Sequence, residues 1–426
     1  MTRTTQTFVM RCMPILVLAV TLTILTTGLG RQSAAQEAFE TAPTLKASEI
    51  LPTNLLKGSN FQVQEKVVND GFINIFTIDS DFGQFKAVSN AKLRQRVGEI
   101  YALAQMEKIR QSETFRKSIR ESGEDTISGI KNLFTEPKET VTGAVSGVGK
   151  AFARAGEALF GSRRSEAEDS RFRSFIGFSK TKRDYAFDFG VDVYSDNEVL
   201  QERLNEIAWA SYSGGIGYAA ALSLVPGAAG VVLSVSGAAD LANELYRTTA
   251  PTDLRRMNRA KLKAMGVRED AAEIFIDNAR YTPRDQTELV LALERMKGTK
   301  RGGLFVSFAA LTQDRDMALF RQRQARMYAG YHRKVAPIVA FAGIGQVALA
   351  RTKAGAVLAA TPLDYVAWTQ AMAKFLDGLD RQIAALPGVS GKEWWLTGSV
   401  SPLARQQFEK RGWTVTDNAE HLVTAY

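Results

Sequence analysis

The feature that most restricts the fold is a run of 33 residues without a single charge, IAWASYSGGIGYAAALSLVPGAAGVVLSVSGAA, from Ile207 to Ala239. A stretch like this must lie in a core, against a partner or in a lipid bilayer, because so much apolar surface is costly in water. Pro226-Gly227 divides it. The first arm, 207–225, is diluted by serines, tyrosines and glycines. The second, 228–239, ends at Asp240 and is too short at about 1.5 Å per residue to cross a hydrocarbon core of about 30 Å. Small residues suit close helix–helix contact. The reading is therefore a buried helical hairpin with its corner at Pro226 and Gly227, and the alternative is a hairpin that inserts into a membrane.

The N-terminus points to export. Arg3 and Arg11 precede the apolar run Pro14–Gly30, and Ser33 and Ala35 stand at the −3 and −1 positions of a cut before Gln36. Positive charge, apolar run and small-residue site together describe a secretory signal over 1–35. Its loss would remove Arg3, Arg11 and Arg31 and lower the formal net charge from +9 to +6. A mild positive balance suits an anionic lipid or envelope polymer and falls short of a nucleic-acid binder. The only cysteine, Cys12, lies in the signal. The exported body therefore has neither thiol chemistry nor cysteine metal ligands. The expected location is the periplasm or cell envelope of a bacterium.

Periodicity divides the rest. Residues 36–60 form a polar lead-in. Over 61–121, FQVQEKVV, FINIFTID and QFKAV alternate around turn signals and predict a three-stranded meander, followed by a helix from about 91. Residues 122–183 are rich in Gly, Ser and charge. Within them Val141, Val145, Val148, Phe152 and Leu159 recur on one helical face. RFRSFIGFSKTKR follows, carrying Arg171, Arg173, Lys180, Lys182 and Arg183 interleaved with Phe172, Phe175 and Phe178. Basic and aromatic residues in this order suit a membrane interface or an anionic polymer; taken alone, the segment reads rather as a solvated loop whose phenylalanines tuck into the core. YAFDFGVDVY (185–194) is expected to be extended, and SDNE (195–198) to be a capping box opened by Ser195. A helical region is expected over 184–335, and an α+β region over 336–426 with a hairpin, a strand at 394–400, a short extended piece at 413–415 and two helices. The predicted fold class is mostly α (α+β): a helical core, a small N-terminal β-meander and a short C-terminal β element.

Catalytic signatures are weak. GIGYAA (215–220) and GIGQVA (343–348) match a dinucleotide pattern, but neither sits between a strand and an unbroken helix. No cofactor is expected. The two histidines, His332 and His421, lack ligand-spaced partners, so no metal is expected. No G-x-S-x-G elbow occurs. Glu65, Asp70, Asp79 and Asp81 cluster on the meander, where turn chemistry accounts for Asp70 and Asp81. The function expected is a non-catalytic envelope protein that associates peripherally with membrane or an anionic surface. The alternatives are a pore-forming protein that uses 207–239 and an envelope hydrolase with dispersed catalytic residues.

Overall fold

The computed structural model describes residues 39–121, 166–227, 230, 232, 244–344 and 347–424. Phe39–Tyr426 forms one compact unit. Helices dominate and the strands gather in small sheets, so the fold is α+β with a helical majority.

The N-terminal sheet has six strands: β1 (Thr44–Lys46), β2 (Lys57–Gly58), β3 (Phe61–Val63), β4 (Lys66–Asn69), β5 (Asn74–Ser80) and β6 (Gly83–Val88). The short helices α1 (Ala47–Ile50) and α2 (Thr53–Leu56) lie between β1 and β2. The expected first strand splits. β3 pairs with residues 78–80 and β4 with residues 74–75, in succession along β5, while β6 pairs antiparallel with β5. Alternation holds where it counts. Phe76 and Ile78 point inward with Phe61, Val63, Val67 and Ala87, and α3 (Asn90–Gln111) covers them with Leu93, Val97 and Ile100. The helix expected from 91 to 121 breaks at Ser112, and α4 (Glu113–Glu121) follows.

The middle of the chain is helical: α5 (Glu166–Asp188), α6 (Glu198–Tyr212), α7 (Tyr218–Ser223), α8 (Glu244–Thr248), α9 (Pro251–Ala264), α10 (Glu269–Asp277), α11 (Pro283–Arg295), α12 (Gly302–Ala310) and α13 (Arg315–Lys334). Two expectations are corrected here. Residues 185–188 belong to α5 rather than to an extended segment. The α6 cap is Asn197, whose side chain accepts from the Leu200 N–H, and not Ser195. Ser195 is occupied elsewhere: its hydroxyl donates to the buried Glu99 carboxylate at 2.5 Å. Glu99 also accepts from Arg96 and Asn197, so the 195–197 turn is fastened to α3. A Thr282–Asp285 capping box opens α11, and the Ser401 hydroxyl accepts from the Ala404 N–H.

In the C-terminal part the expected hairpin, strand and extended piece join in one sheet. A five-stranded sheet runs in the order β13 (Trp413–Thr416), β11 (Gly391–Leu396), β9 (Ala356–Thr361), β8 (Val347–Thr352), β7 (Ile338–Ile344). Strands β9, β11 and β13 are parallel, joined through α14 (Gln370–Ala384) and α15 (Pro402–Lys410). A short parallel pair, β10 (Tyr365–Val366) and β12 (Ser399–Val400), lies off this sheet, and α16 (Glu420–Thr424) closes the chain. The period of two sorts the two faces. Ala348, Ala350, Leu358 and Ala360 join Tyr328 and Phe341 in one core cluster. Leu349, Val357, Ala359, Trp394 and Leu396 join Trp368, Phe408 and Trp413 in the other. Both faces are thus covered, as a parallel sheet requires.

Candidate functional site

In open α/β sheets ligands usually bind outside the carboxyl ends of the parallel strands. Here those ends are Thr361, Leu396 and Thr416. The chain itself fills the position. Asp364, three residues beyond β9, is buried at the amino end of the 22-residue helix α3. Its carboxylate accepts from the backbone N–H of Asn90 at 3.1 Å and of Asn74 at 3.0 Å. A helix N-terminus favours an anion there, and in this fold the anion is the chain's own side chain. Burial nonetheless pushes the Asp364 carboxyl up to about 6, against those two N–H groups and the nearby Arg323 and Arg94.

The same edge holds a charge cluster. Glu420, at the start of α16, accepts from Arg94 of α3 at 2.8 Å and from Arg323 of α13 at 2.8 Å. Burial opposes ionisation of Glu420, but the two guanidiniums outweigh it and hold the carboxyl below its ordinary value. The meander is tied on by backbone as well. Phe72 O accepts from Asp364 and Tyr365, and Gly71 O from Ala367. Glu40 accepts from the Trp368 N–H and the Ser401 hydroxyl, both at 2.5 Å. Every one of these carboxylates serves as a clasp between the N-terminal module and the C-terminal sheet. Sequence reasoning missed Asp364, Glu420, Arg94 and Arg323 as a group. The available signal was the strand–helix–strand–helix–strand order over 356–416, which predicts a parallel sheet.

A second candidate site lies at one end of the helical half. The first arm of the uncharged run does not continue as a single helix. α6 stops at Tyr212, and the N–H groups of Gly215 and Ile216 cap it by donating to Ala210 O at 2.9 and 3.1 Å. A Cβ on Gly215 would stand 2.6 Å from the Ser118 Cβ, so glycine here permits the approach of α4. That packing role accounts for Gly215 of GIGYAA. In GIGQVA, Gly343 lies in β7 under the Phe308 ring.

The run is also less buried than expected. Ile216, Ala221 and Val225 point inward, but Ala219, Ala220 and Pro226 are exposed, Tyr212 is 38% exposed and Leu224 43%. Gly227 has φ +73°, a left-handed backbone that favours glycine. Of the second arm, residues 228–229, 231 and 233–239 lie outside the described residues. Aromatic rings back this surface: Phe178 meets Trp209 at 5.7 Å, and Trp209 meets Tyr212 at 5.9 Å.

The other sequence-marked residues divide four ways. Val141, Val145, Val148, Phe152 and Leu159 lie outside the described residues. Arg171, Phe172, Arg173 and Phe175 lie in α5, in which Gly177 rests against Tyr212. Lys180 is exposed and pairs with Asp184 at 2.8 Å. Phe178, Lys182 and Arg183 are buried. Lys182 donates to Gln201 Oε1 at 2.7 Å, and Arg183 to Arg247 O at 3.0 Å. As packed, these three face the protein interior and not a surface.

Elsewhere the polar residues have structural duties. Asp70 accepts from the N–H groups of Phe72 and Ile73, Asp79 from Gln64 and Gln84, and Glu65 from Ser48. His332 Nδ1 accepts from the Ile338 N–H, and His421 is exposed on α16. Among the described residues no group of three or more His, Cys, Asp or Glu is placed to hold a metal ion, and no helix is long and apolar enough to cross a membrane. No family model, curated protein or solved structure matches the chain.

Proposed function

We propose that the protein is an exported, non-catalytic component of a bacterial cell envelope that associates peripherally with an anionic membrane surface. The observation that carries this reading is the end of the helical half. There Tyr212, Ala219, Ala220, Leu224 and Pro226 are exposed together in a stretch without charge. Tyr212 rests against Gly177 of α5, the helix that also carries Arg171, Arg173 and the exposed Lys180. Apolar side chains entering the headgroup region beside cations attracted to anionic lipid are the two ingredients of interfacial binding. Export rests on the positive charge, apolar run and small-residue site of residues 1–35.

The test is co-sedimentation with vesicles of phosphatidylglycerol and phosphatidylcholine against phosphatidylcholine alone. At low salt the protein should pellet with the anionic vesicles, and binding should fall as salt screens the charges. Leu224→Asp should weaken binding at least about tenfold, because one leucine buried or exposed is worth about 1.5–3 kcal/mol. Protein that stays in the supernatant with anionic vesicles at low salt would rule the reading out. Rapid release of an encapsulated dye would favour membrane insertion instead.

A further inference from the structure

Lys182 is 3% exposed and lies where α5 packs on α6. Among the described residues its Nζ has one partner, the neutral Oε1 of Gln201, whose own amide nitrogen donates to Val193 O and Ser195 O. A buried ammonium is ordinarily matched by a carboxylate. Among the described residues none serves. On α5, Asp184 is taken by Lys180 and Arg247, and the cation near Asp188 is Arg247. On α6, Glu206 pairs with Arg110 and Arg203, and Glu202 with Arg203. On α8, Glu244 pairs with Arg247. In the connection after α5, Asp196 takes Lys92 and Arg96, while Asp192 accepts from the Tyr194 N–H beside Arg284. On α3, Glu99 takes Arg96.

We propose that Lys182 makes the α5–α6 packing a proton-sensitive joint: a proton taken up at the buried Nζ loosens the two helices, and its loss tightens them. The neutral amine leaves one N–H and its lone pair without a partner among the described residues but carries no charge to desolvate. The ammonium has two further N–H groups with no acceptor and a charge with no counterion among the described residues. Burial accordingly pushes the Lys182 amine down to about 7 from an ordinary value of 10.5. For a base depressed in the folded state the unfolded state holds the proton more tightly. Stability therefore rises with pH between about 7 and 10.5. The penalty is fully present below 7 and gone above 10.5. From pH 8.5 to 6.5 the folding constant should fall about twentyfold on this account. Asp192, pushed up to about 6, and Asp188, also raised by burial, act in the opposite sense at lower pH. The window from 8.5 to 6.5 lies above the Asp192 titration.

The test is hydrogen exchange of the α5 and α6 amides at pH 8.5 and 6.5, corrected for intrinsic rates. In the wild type protection should drop about twentyfold across this window. Lys182→Met should abolish the drop, and so should Gln201→Glu, which supplies the missing counterion while keeping the lysine. A wild-type protection that does not change, or an equal drop in both variants, overturns the proposal. Titration of the wild-type Lys182 Cε resonance tests the same point without a variant: a midpoint near 7 is expected, and one above about 9.5 would contradict the proposal.

Discussion

Gly398→Ala is expected to cost more than about 4 kcal/mol, the range reserved for a named structural violation. A Cβ at this position would stand 1.8 Å from the carbonyl oxygen of Asp364 and 2.4 Å from its carbonyl carbon. Both atoms are backbone, so no rotamer change relieves the clash. The site cannot shift freely. Gly398 donates its N–H to Leu363 O at 2.8 Å and accepts from the Asn418 N–H at 2.7 Å, and the Ser399 N–H donates to Asp364 O at 3.1 Å. Moving the strand end apart would break the register on which the Asp364 clasp depends. Gly378→Ala is the control. Gly378 lies inside α14, and a Cβ added there would meet nothing within 4 Å. Alanine at that position should be neutral or stabilising by up to about 1 kcal/mol. Urea unfolding of both variants checks the pair, and a loss below about 1 kcal/mol for Gly398→Ala would show that the close approach is wrong.

Glu288→Ala should destabilise by about 3–5 kcal/mol, the cost of breaking a buried ion pair from one side. Glu288, on α11, is 3% exposed. Arg284 reaches it at 2.7 Å, Arg326 of α13 at 3.0 Å, and the Gln322 amide also donates to it. Arg326 in turn donates to Val423 O at 3.0 Å, which carries the network into α16. The alanine variant would keep two buried guanidiniums while removing the carboxylate they share. Replacing all three charges, as Arg284→Met with Glu288→Leu and Arg326→Met, should recover most of the loss, because the desolvation cost disappears with the charges. Thermal or urea unfolding of the single and triple variants measures it. A triple variant as unstable as Glu288→Ala would mean that hydrogen-bond geometry, not charge burial, sets the cost.

Local patterns carried most of the elements. The helical region expected over 184–335 is helical from 251 to 334, and Thr282 and Asp314 cap two of its helices. β5 and β6 follow their alternation and turn. What local pattern does not contain is the partner of each element. The strands at 356–361, 391–396 and 413–416 are individually visible, yet their parallel pairing depends on helices that return the chain across the sheet. Asp364 reads as a helix-opening residue after Pro362, and only the fold brings it 3.1 Å from Asn90, 274 positions away in the chain. The apolar run 207–239 misled in a different way. Its lack of charge suggested depth, but Gly214-Gly215 ends α6 and turns part of the run outward. Lys182 is the reverse case: it sits in a basic segment typical of a surface, and the packing of α5 on α6 takes it inside with Phe178.

The surface proposed to meet the membrane can be tested by position. The sequence has a single cysteine, Cys12, so in a Cys12→Ser background one introduced thiol is the only one. Leu224→Cys places it on the exposed apolar end, and Leu311→Cys places it on the turn after α12, where Leu311 is 72% exposed. Each is labelled with a polarity-sensitive fluorophore and mixed with phosphatidylglycerol vesicles at low salt. Interfacial association through the helical end predicts a blue shift for the label at 224 and none at 311. A blue shift at 311 with none at 224, or no shift at either position, would contradict it.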